Sequence, residues 1–155
     1  MPRCAAAKAL LLLLVAGSAA CTRRVIAPPA EPMSMGVPSV ETAAARDVVS
    51  TFIAAEARGD EGADTLLAAD AGFIATGIPR TARPRLAGMT ARGEGSIEEA
   101  RTELAGSFAW VEVIYRWQGR APGSEERARA TFVLERKLAG WKIRHVHSSM
   151  VERWE

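Results

Sequence analysis

Hydrophobic and polar positions repeat with a helical period near residue 50. Val49, Phe52 and Ile53 recur at steps of three and four residues, and Arg46 and Glu56 lie on the other side. This pattern predicts a helix over Ala43–Arg58, capped by Thr42 or Ser39 and ended by Gly59. A second, shorter helix is predicted over Glu61–Ala69, with Asp60 as its cap and Leu66 and Leu67 facing inward.

The C-terminal half has the alternating pattern of strands. Strands are predicted over Phe108–Trp117, Arg127–Lys137 and Trp141–Ser149, after a short one over 71–76. Residues 96–105 are ambiguous, because a capping box favours a helix and alternation favours a strand. On the last strand, strict alternation places four side chains on one face: Trp141, Ile143, His145 and His147.

Helices followed by strands predict an α+β fold, with N-terminal helices packed on one face of an antiparallel sheet. Where such a sheet is strongly curved, it forms a cone-shaped α+β barrel under the helices, and the interior is a common place for ligands. The irregular segment 78–95 carries four arginines, Arg80, Arg83, Arg85 and Arg92. These side chains either bind an anion or are solvated loop charges.

The N-terminus has the layout of an export signal. Cations precede an apolar run that includes Leu10–Leu14, and small residues follow up to Ala20. We expect residues 1–20 to be a signal peptide and Cys21 to be lipidated, which would anchor the protein to a membrane. The alternative is ordinary cleavage that leaves a free Cys21. Proline-rich residues 21–39 are predicted to be a tether, and residues 40–155 the folded domain.

Composition adds limits rather than a function. The 155-residue chain is 48% hydrophobic and 25% charged, as globular domains are. Its formal charge of +2 comes from Arg3 and Lys8, so residues 21–155 are net neutral. A nucleic-acid binder generally needs surplus positive charge, so we expect no nucleic-acid partner.

Four segments together resemble the SnoaL-like branch of the nuclear transport factor 2-like superfamily, which has a cystatin-like fold. They are the first predicted helix, Asp64–Phe73, Phe108–Tyr115 and the ending Gly140–Ser149. The resemblance covers about residues 40–150. It implies a curved antiparallel sheet around an N-terminal helix, an open conical pocket, frequent dimers, and a strand at 97–104. It does not fix the function, because the scaffold serves isomerases, dehydratases, cyclases and non-catalytic binders.

Candidate chemistry centres on His145 and His147, the only histidines. An imidazole can accept or donate a proton near neutral pH, and Tyr115 could donate a hydrogen bond to an oxyanion. The structural alternative is that both histidines bond within the sheet and the aromatic residues form the core. The candidate pocket-lining residues are Trp110, Trp117, Trp141 and Ile143. Four carboxylates are possible partners, with no pattern that selects one: Asp64, Asp70, Glu112 and Glu135.

Three functions remain open at this point. The first is an exported, lipid-anchored domain that binds a small apolar or amphipathic molecule in the cone without catalysis. The second is a cofactor-free acid–base enzyme that uses His145 or His147. The third is a dimerising envelope module with a filled cone. Two histidines are fewer than the three ligands that a catalytic zinc site generally needs, so we expect no metal and no cofactor.

Overall fold

The computed structural model describes residues 39–90 and 92–151. The predicted signal peptide, Cys21 and the tether lie outside these residues. The first helix, α1, is Val40–Arg58; the Ser39 hydroxyl accepts a hydrogen bond from the Thr42 N–H, and Gly59 ends the helix in the left-handed conformation. The two predicted helix ends are therefore confirmed within a few residues. The predicted second helix is shorter than expected: a 3-10 helix over Glu61–Leu66 capped by Asp60.

Six strands follow in one sheet. They are β1 (Leu67–Ala75), β2 (Ile78–Pro79), β3 (Gly93–Ala105), β4 (Phe108–Gly119), β5 (Glu125–Lys137) and β6 (Gly140–Met150). Their spatial order is β2-β1-β6-β5-β4-β3. All neighbouring pairs are antiparallel except β1 and β6, which are parallel. The α+β class is confirmed, and the curved sheet is not closed into a barrel.

The ambiguous segment 96–105 lies within β3. The pairing of the whole of β3 with β4 runs over twelve positions, and it shifts by one residue at Glu98, between Ile97 and Glu99. The ladder satisfies backbone hydrogen-bonding groups along the whole strand. The capping-box pattern at Ser96 and Glu99 could satisfy only those at the first turn of a helix, so the strand is favoured. The strand implied by the family resemblance is therefore confirmed here.

Helix α1 packs on one face of the sheet, which we call the inner face; the opposite one is the outer face. The inner positions of β4 and β5 alternate as the sequence predicts, and all are buried. With the buried side of α1 they form the core: Val49, Phe52, Ile53, Ala109, Val111, Val113, Tyr115, Trp117, Ala128, Ala130, Phe132 and Leu134.

Candidate functional site

The interior of the fold is filled by the chain itself. The loop that joins β2 to β3 carries Arg80, Arg83, Arg85 and Arg92, and we call it the basic loop. It contacts α1 and buries Arg85, Leu86, Ala87 and Met89. The side chains that would line an open cone, such as Tyr115 and Phe132, have no accessible surface. A cavity would leave surface on its walls, so the inner face formed by residues 39–90 and 92–151 is a packed core, where the resemblance implied an open conical pocket.

A buried ion pair fixes this loop to the helix. The Arg85 backbone N–H and Nε donate to Glu56 Oε1 at 2.8 and 3.1 Å, and Nη2 donates to Oε2 at 2.6 Å. Glu56 is 2% exposed and Arg85 is 7% exposed. The Arg85 Nη1 also lies 2.9 Å from Asp64 Oδ1. Burial favours the neutral guanidine, but the contacts with Glu56 and Asp64 outweigh it and raise the pKa of Arg85.

Sequence reasoning assigned Glu56 to the exposed side of α1, and this assignment is wrong. Glu56 follows Phe52 by four residues, so both side chains lie on the same helical face. This four-residue spacing indicates that Glu56 is buried. A buried carboxylate is unfavourable without a partner, however, and the sequence near Glu56 supplies none. The partner, Arg85, comes from the basic loop 29 residues later. Local periodicity could not identify it.

The basic loop divides into two inward and two outward arginines. Arg83 Nη2 lies 2.8 Å from Asp64 Oδ1 and Arg83 Nε 3.8 Å from Glu56 Oε2, which joins Arg83 to the Arg85 network. Hydrogen bonding from Arg83 is the main cause that lowers the pKa of Asp64. Arg80 and Arg92 are exposed and form no ion pair within the described part of the chain.

Tyr115 lies on the inner face, fully buried at 0% exposure. Its hydroxyl donates to the Ala87 carbonyl at 2.6 Å, and the Ala87 N–H donates to Ser148 Oγ at 3.0 Å. Burial raises the pKa of Tyr115, which keeps the phenol protonated. The predicted hydrogen-bond donor is thus already used to hold the loop, and its catalytic role stays a prediction.

The two histidines do not share a face with Trp141 and Ile143, so that prediction is wrong. The β5–β6 pairing shifts between His145 and Ile143, which leaves Arg144 as an extra residue. This bulge reverses the alternation: Val146 and Ser148 face inward, whereas His147 is exposed and His145 is half-buried. The His145 ring lies beside Gly72 of β1. A Cβ atom added at Gly72 would be 3.4 Å from the His145 Nδ1.

The predicted pocket-lining residues also separate. Trp117, Trp141 and Ile143 are buried on the inner face, in the packed core. The indole N–H groups of Trp117 and Trp141 have no hydrogen-bond partner among the described residues. Trp110 lies on the outer face and is 40% exposed, so its assignment to the interior is wrong. Its ring is 6.4 Å from that of Phe108, centroid to centroid.

The other candidate carboxylates lie outside the interior. Asp70 and Glu135 both pair with Arg144, at 2.5 and 2.9 Å. Hydrogen bonding from Lys137 and then Arg144 lowers the pKa of Glu135. Glu112 is exposed on β4 and forms no ion pair within residues 39–90 and 92–151. No carboxylate of this set therefore lies beside a buried proton donor.

An open cleft lies on the solvent side of the basic loop. Its volume is about 530 Å³, within the range of small-molecule sites. The exposed Pro79 and Ala82 and the half-buried Pro84 supply apolar wall, and Arg80 supplies a cation. The Thr76–Gly77 turn borders it, with both residues at positive φ. This cleft combines apolar side chains with Arg80, which forms no ion pair in the described part of the chain. Strand-based reasoning did not identify the cleft, because its walls are irregular.

Two features are absent from the described residues. No helix in residues 39–90 and 92–151 is long and apolar enough to cross a membrane. No group of three or more His, Cys, Asp or Glu side chains in that part of the chain is placed to hold a metal ion.

Residues 45–152 match the family model described as the SnoaL-like domain. Among solved structures, a candidate ketosteroid isomerase from Shewanella frigidimarina is 27% identical, with a TM-score of 0.54 over 68% of this chain and 94% of that one. A candidate dehydratase of the NTF2-like family from Streptomyces avermitilis is 18% identical, with a TM-score of 0.60 over 76% and 100%. The CaMKII hub of S. rosetta is 19% identical, with a TM-score of 0.56 over 74% and 100%. No curated protein matches the chain.

Proposed function

Because the chain belongs to the SnoaL-like family, whose fold serves small-molecule binding as well as isomerase and dehydratase chemistry, we propose that it acts by binding. The ligand is a small amphipathic molecule with an anionic group. The site is the cleft outside the basic loop rather than the filled cone. The protein is an exported cell-envelope module, anchored through a lipid on Cys21.

The observation that carries this proposal is the composition of the cleft. Its accessible apolar residues, Pro79, Ala82 and Pro84, suit a hydrocarbon or ring system, and Arg80 beside them suits a carboxylate or sulfonate. Arg83 also borders the cleft, but its charge is neutralised by Asp64 and Glu56. Arg80 is therefore the cation available to an anionic ligand.

Binding is favoured over acid–base catalysis by the positions of the titratable groups. A general base must lie within hydrogen-bond reach of the proton it removes. His145 and His147 lie on the side of the sheet opposite Tyr115, and Glu56 is held by Arg85. These groups do not converge on one space, which weakens the enzyme hypothesis based on them.

The membrane attachment is supported by the sequence alone. An apolar leader ending in small residues, a cysteine at position 21 and a proline-rich segment fit a lipidated N-terminus on a tether. The tether would let the domain reach ligands near the membrane surface.

A second candidate role, homodimerisation, is favoured by the outer face. Phe108 and Trp110 are exposed there, next to half-buried Ile114 and Val133. Glu112 and Arg129 lie on the same face without ion pairs within the described residues. In a two-fold dimer the Glu112 of one copy would meet the Arg129 of the other, and this self-complementarity is what an isologous interface needs.

The cleft proposal is tested with two fluorescent probes, 8-anilinonaphthalene-1-sulfonate and the uncharged N-phenyl-1-naphthylamine. Full-length protein with Cys21→Ser should bind both. Arg80→Gln should weaken the sulfonate about fivefold, as for the loss of about 1 kcal/mol, and leave the neutral probe unchanged. Ala82→Trp should block both probes, and Arg46→Gln on the exposed side of α1 should affect neither. Absence of binding, or binding indifferent to Arg80 and Ala82, contradicts the proposal.

A further inference from the structure

A second site is built into the interior around the Arg85 guanidinium. Its central carbon lies 4.8 Å from the ring centroid of Phe73 and 5.5 Å from that of Phe52. Both oxygens of Glu56 accept hydrogen bonds from Arg85. Phe52, Glu56 and Phe73 thus surround a cation with two aromatic rings and a carboxylate, and we call these three residues the cation cage.

The residues of the cation cage belong to a helix and a strand, whereas Arg85, which occupies the cage, belongs to a loop. Phe52 and Glu56 are one turn apart on α1, and Phe73 is on β1 with its ring stacked on Phe52 at 5.9 Å. Arg85 comes from the irregular loop between β2 and β3. The helix and the sheet therefore place the backbone of the host side chains, whereas the loop places the guanidinium.

Buried side chains, Leu86 and Met89, and a set of polar contacts hold the loop near Arg85. Ala87 bonds to Tyr115 and Ser148, and Arg83 joins the network through Asp64. Asp64 is 58% exposed at its side chain, so solvent reaches the outer end of the network. A groove of about 280 Å³ runs beside it, lined by Glu56, Ala57, Gly59, Arg83, Pro84 and Arg92. This groove gives a route from solvent toward the Glu56 side of the cage.

We propose that the cation cage is a binding site for an organic cation of guanidinium or ammonium type, which Arg85 occupies in cis and which such a cation enters by displacing it. The exchange leaves Glu56 paired, so no buried carboxylate is stranded. The displaced Arg85 retains Asp64 as a solvent-exposed partner. A planar guanidinium suits the cage best, because it can accept two-point pairing with Glu56 while its face lies on the aromatic rings.

This site is distinct from the cleft at Arg80, and its ligand has the opposite charge. Failure of one proposal therefore leaves the other standing.

The test uses full-length protein and two probes of similar shape, ethylguanidinium and the neutral N-ethylurea, whose binding is measured by calorimetry. The wild-type chain should bind ethylguanidinium saturably and N-ethylurea not at all. Arg85→Ala should bind ethylguanidinium at least tenfold more tightly, because the competing side chain is removed.

Matched variants separate the cage from general surface effects. The double variant Arg85→Ala/Glu56→Gln should lose ethylguanidinium binding, since the carboxylate is absent. Arg46→Ala removes an exposed arginine from α1, away from both sites and the proposed dimer interface, and should leave the wild-type affinity unchanged. Binding to Arg85→Ala without any binding to the wild type would mean that the cage serves only Arg85, and would overturn the proposal.

A measurement on the wild-type chain covers the case in which Arg85→Ala fails to fold. The amide N–H groups of Arg85 and Ala87 donate to Glu56 and Ser148, so they report directly on loop displacement. Ethylguanidinium at non-denaturing concentration should accelerate their hydrogen exchange about fivefold or more, with the amides of β4 unchanged. Exchange equal to that in N-ethylurea would overturn the proposal.

Discussion

The Tyr115 hydroxyl donates a 2.6 Å hydrogen bond to the carbonyl of Ala87, which ties the middle of β4 to the basic loop. The Ala87 N–H is bound in turn by Ser148 of β6. Two neighbouring polar side chains of the inner face thus satisfy both backbone groups of one loop residue. These contacts hold the loop against the inner face of the sheet.

Tyr115→Phe should destabilise the domain by about 1–3 kcal/mol. The ring stays in place, but the buried Ala87 carbonyl loses its donor, and an unsatisfied buried acceptor has a cost of this order. Urea unfolding followed by tryptophan fluorescence measures the change. Phe108→Leu on the outer face serves as a control and should alter stability less. A stability equal to wild type for Tyr115→Phe would mean that the hydrogen bond does not hold the loop.

The strands of the sheet were largely predictable from the sequence, because β4 and β5 alternate without interruption. The faces of β6 were not. An extra residue at Arg144 reverses the alternation, and a bulge has no signature in a run such as Lys142–His147. The histidine pair was therefore assigned to the wrong side of the sheet, together with the site built on it.

The filled interior was also beyond prediction from local patterns. It depends on Glu56 and Arg85, which are distant in sequence and each unfavourable when buried alone. A basic, proline-containing loop is typical of exposed segments, and nothing local distinguishes Arg85 from Arg80. Only the tertiary pairing determines that one is inside and the other at the edge of a cleft.

The domain should lose stability in acid. Pairing with Arg83 lowers the pKa of Asp64, and pairing with Arg127 and then Arg116 lowers that of Glu98. A lowered folded-state pKa stabilises the fold above the ordinary values of 3.8 for Asp and 4.5 for Glu, and this stability is lost as pH falls through the folded values.

Urea midpoints measured from pH 7 down to pH 3 should therefore decrease below about pH 4.5. Glu98→Gln should lower the midpoint at pH 7 and reduce its dependence on pH. Asp47→Asn, at an exposed carboxylate of α1 without an ion pair in the described residues, is the control and should keep the wild-type profile. A midpoint that stays constant to pH 3 would contradict the role of these pairs.

The outer face should control self-association. Glu112→Arg would place like charges together across the proposed two-fold axis, so sedimentation should shift toward monomer. The double variant Glu112→Arg/Arg129→Glu should restore the dimer, because the pair is only reversed. Wild-type protein that sediments as a monomer at all accessible concentrations, or a charge reversal without rescue, would remove this interface.

Membrane attachment should depend on Cys21. In cells producing the full chain, the protein should fractionate with membranes, and Cys21→Ser should move it to the soluble fraction of the envelope. Cys4→Ser changes the other cysteine, which lies within the predicted signal peptide, and should leave fractionation unchanged. Equal membrane association of the two variants would contradict lipidation at Cys21.

The central claim is that the cleft beside the basic loop, not the sheet surface with the histidines, is the binding site. Amide chemical-shift mapping with 8-anilinonaphthalene-1-sulfonate on the full-length Cys21→Ser protein tests it most directly. We predict saturable shifts confined to residues 76–90, strongest near Arg80 and Met89, with the amides of His145 and His147 unaffected. Shifts centred on the outer face of β6, or no saturable shifts, would contradict the proposed function.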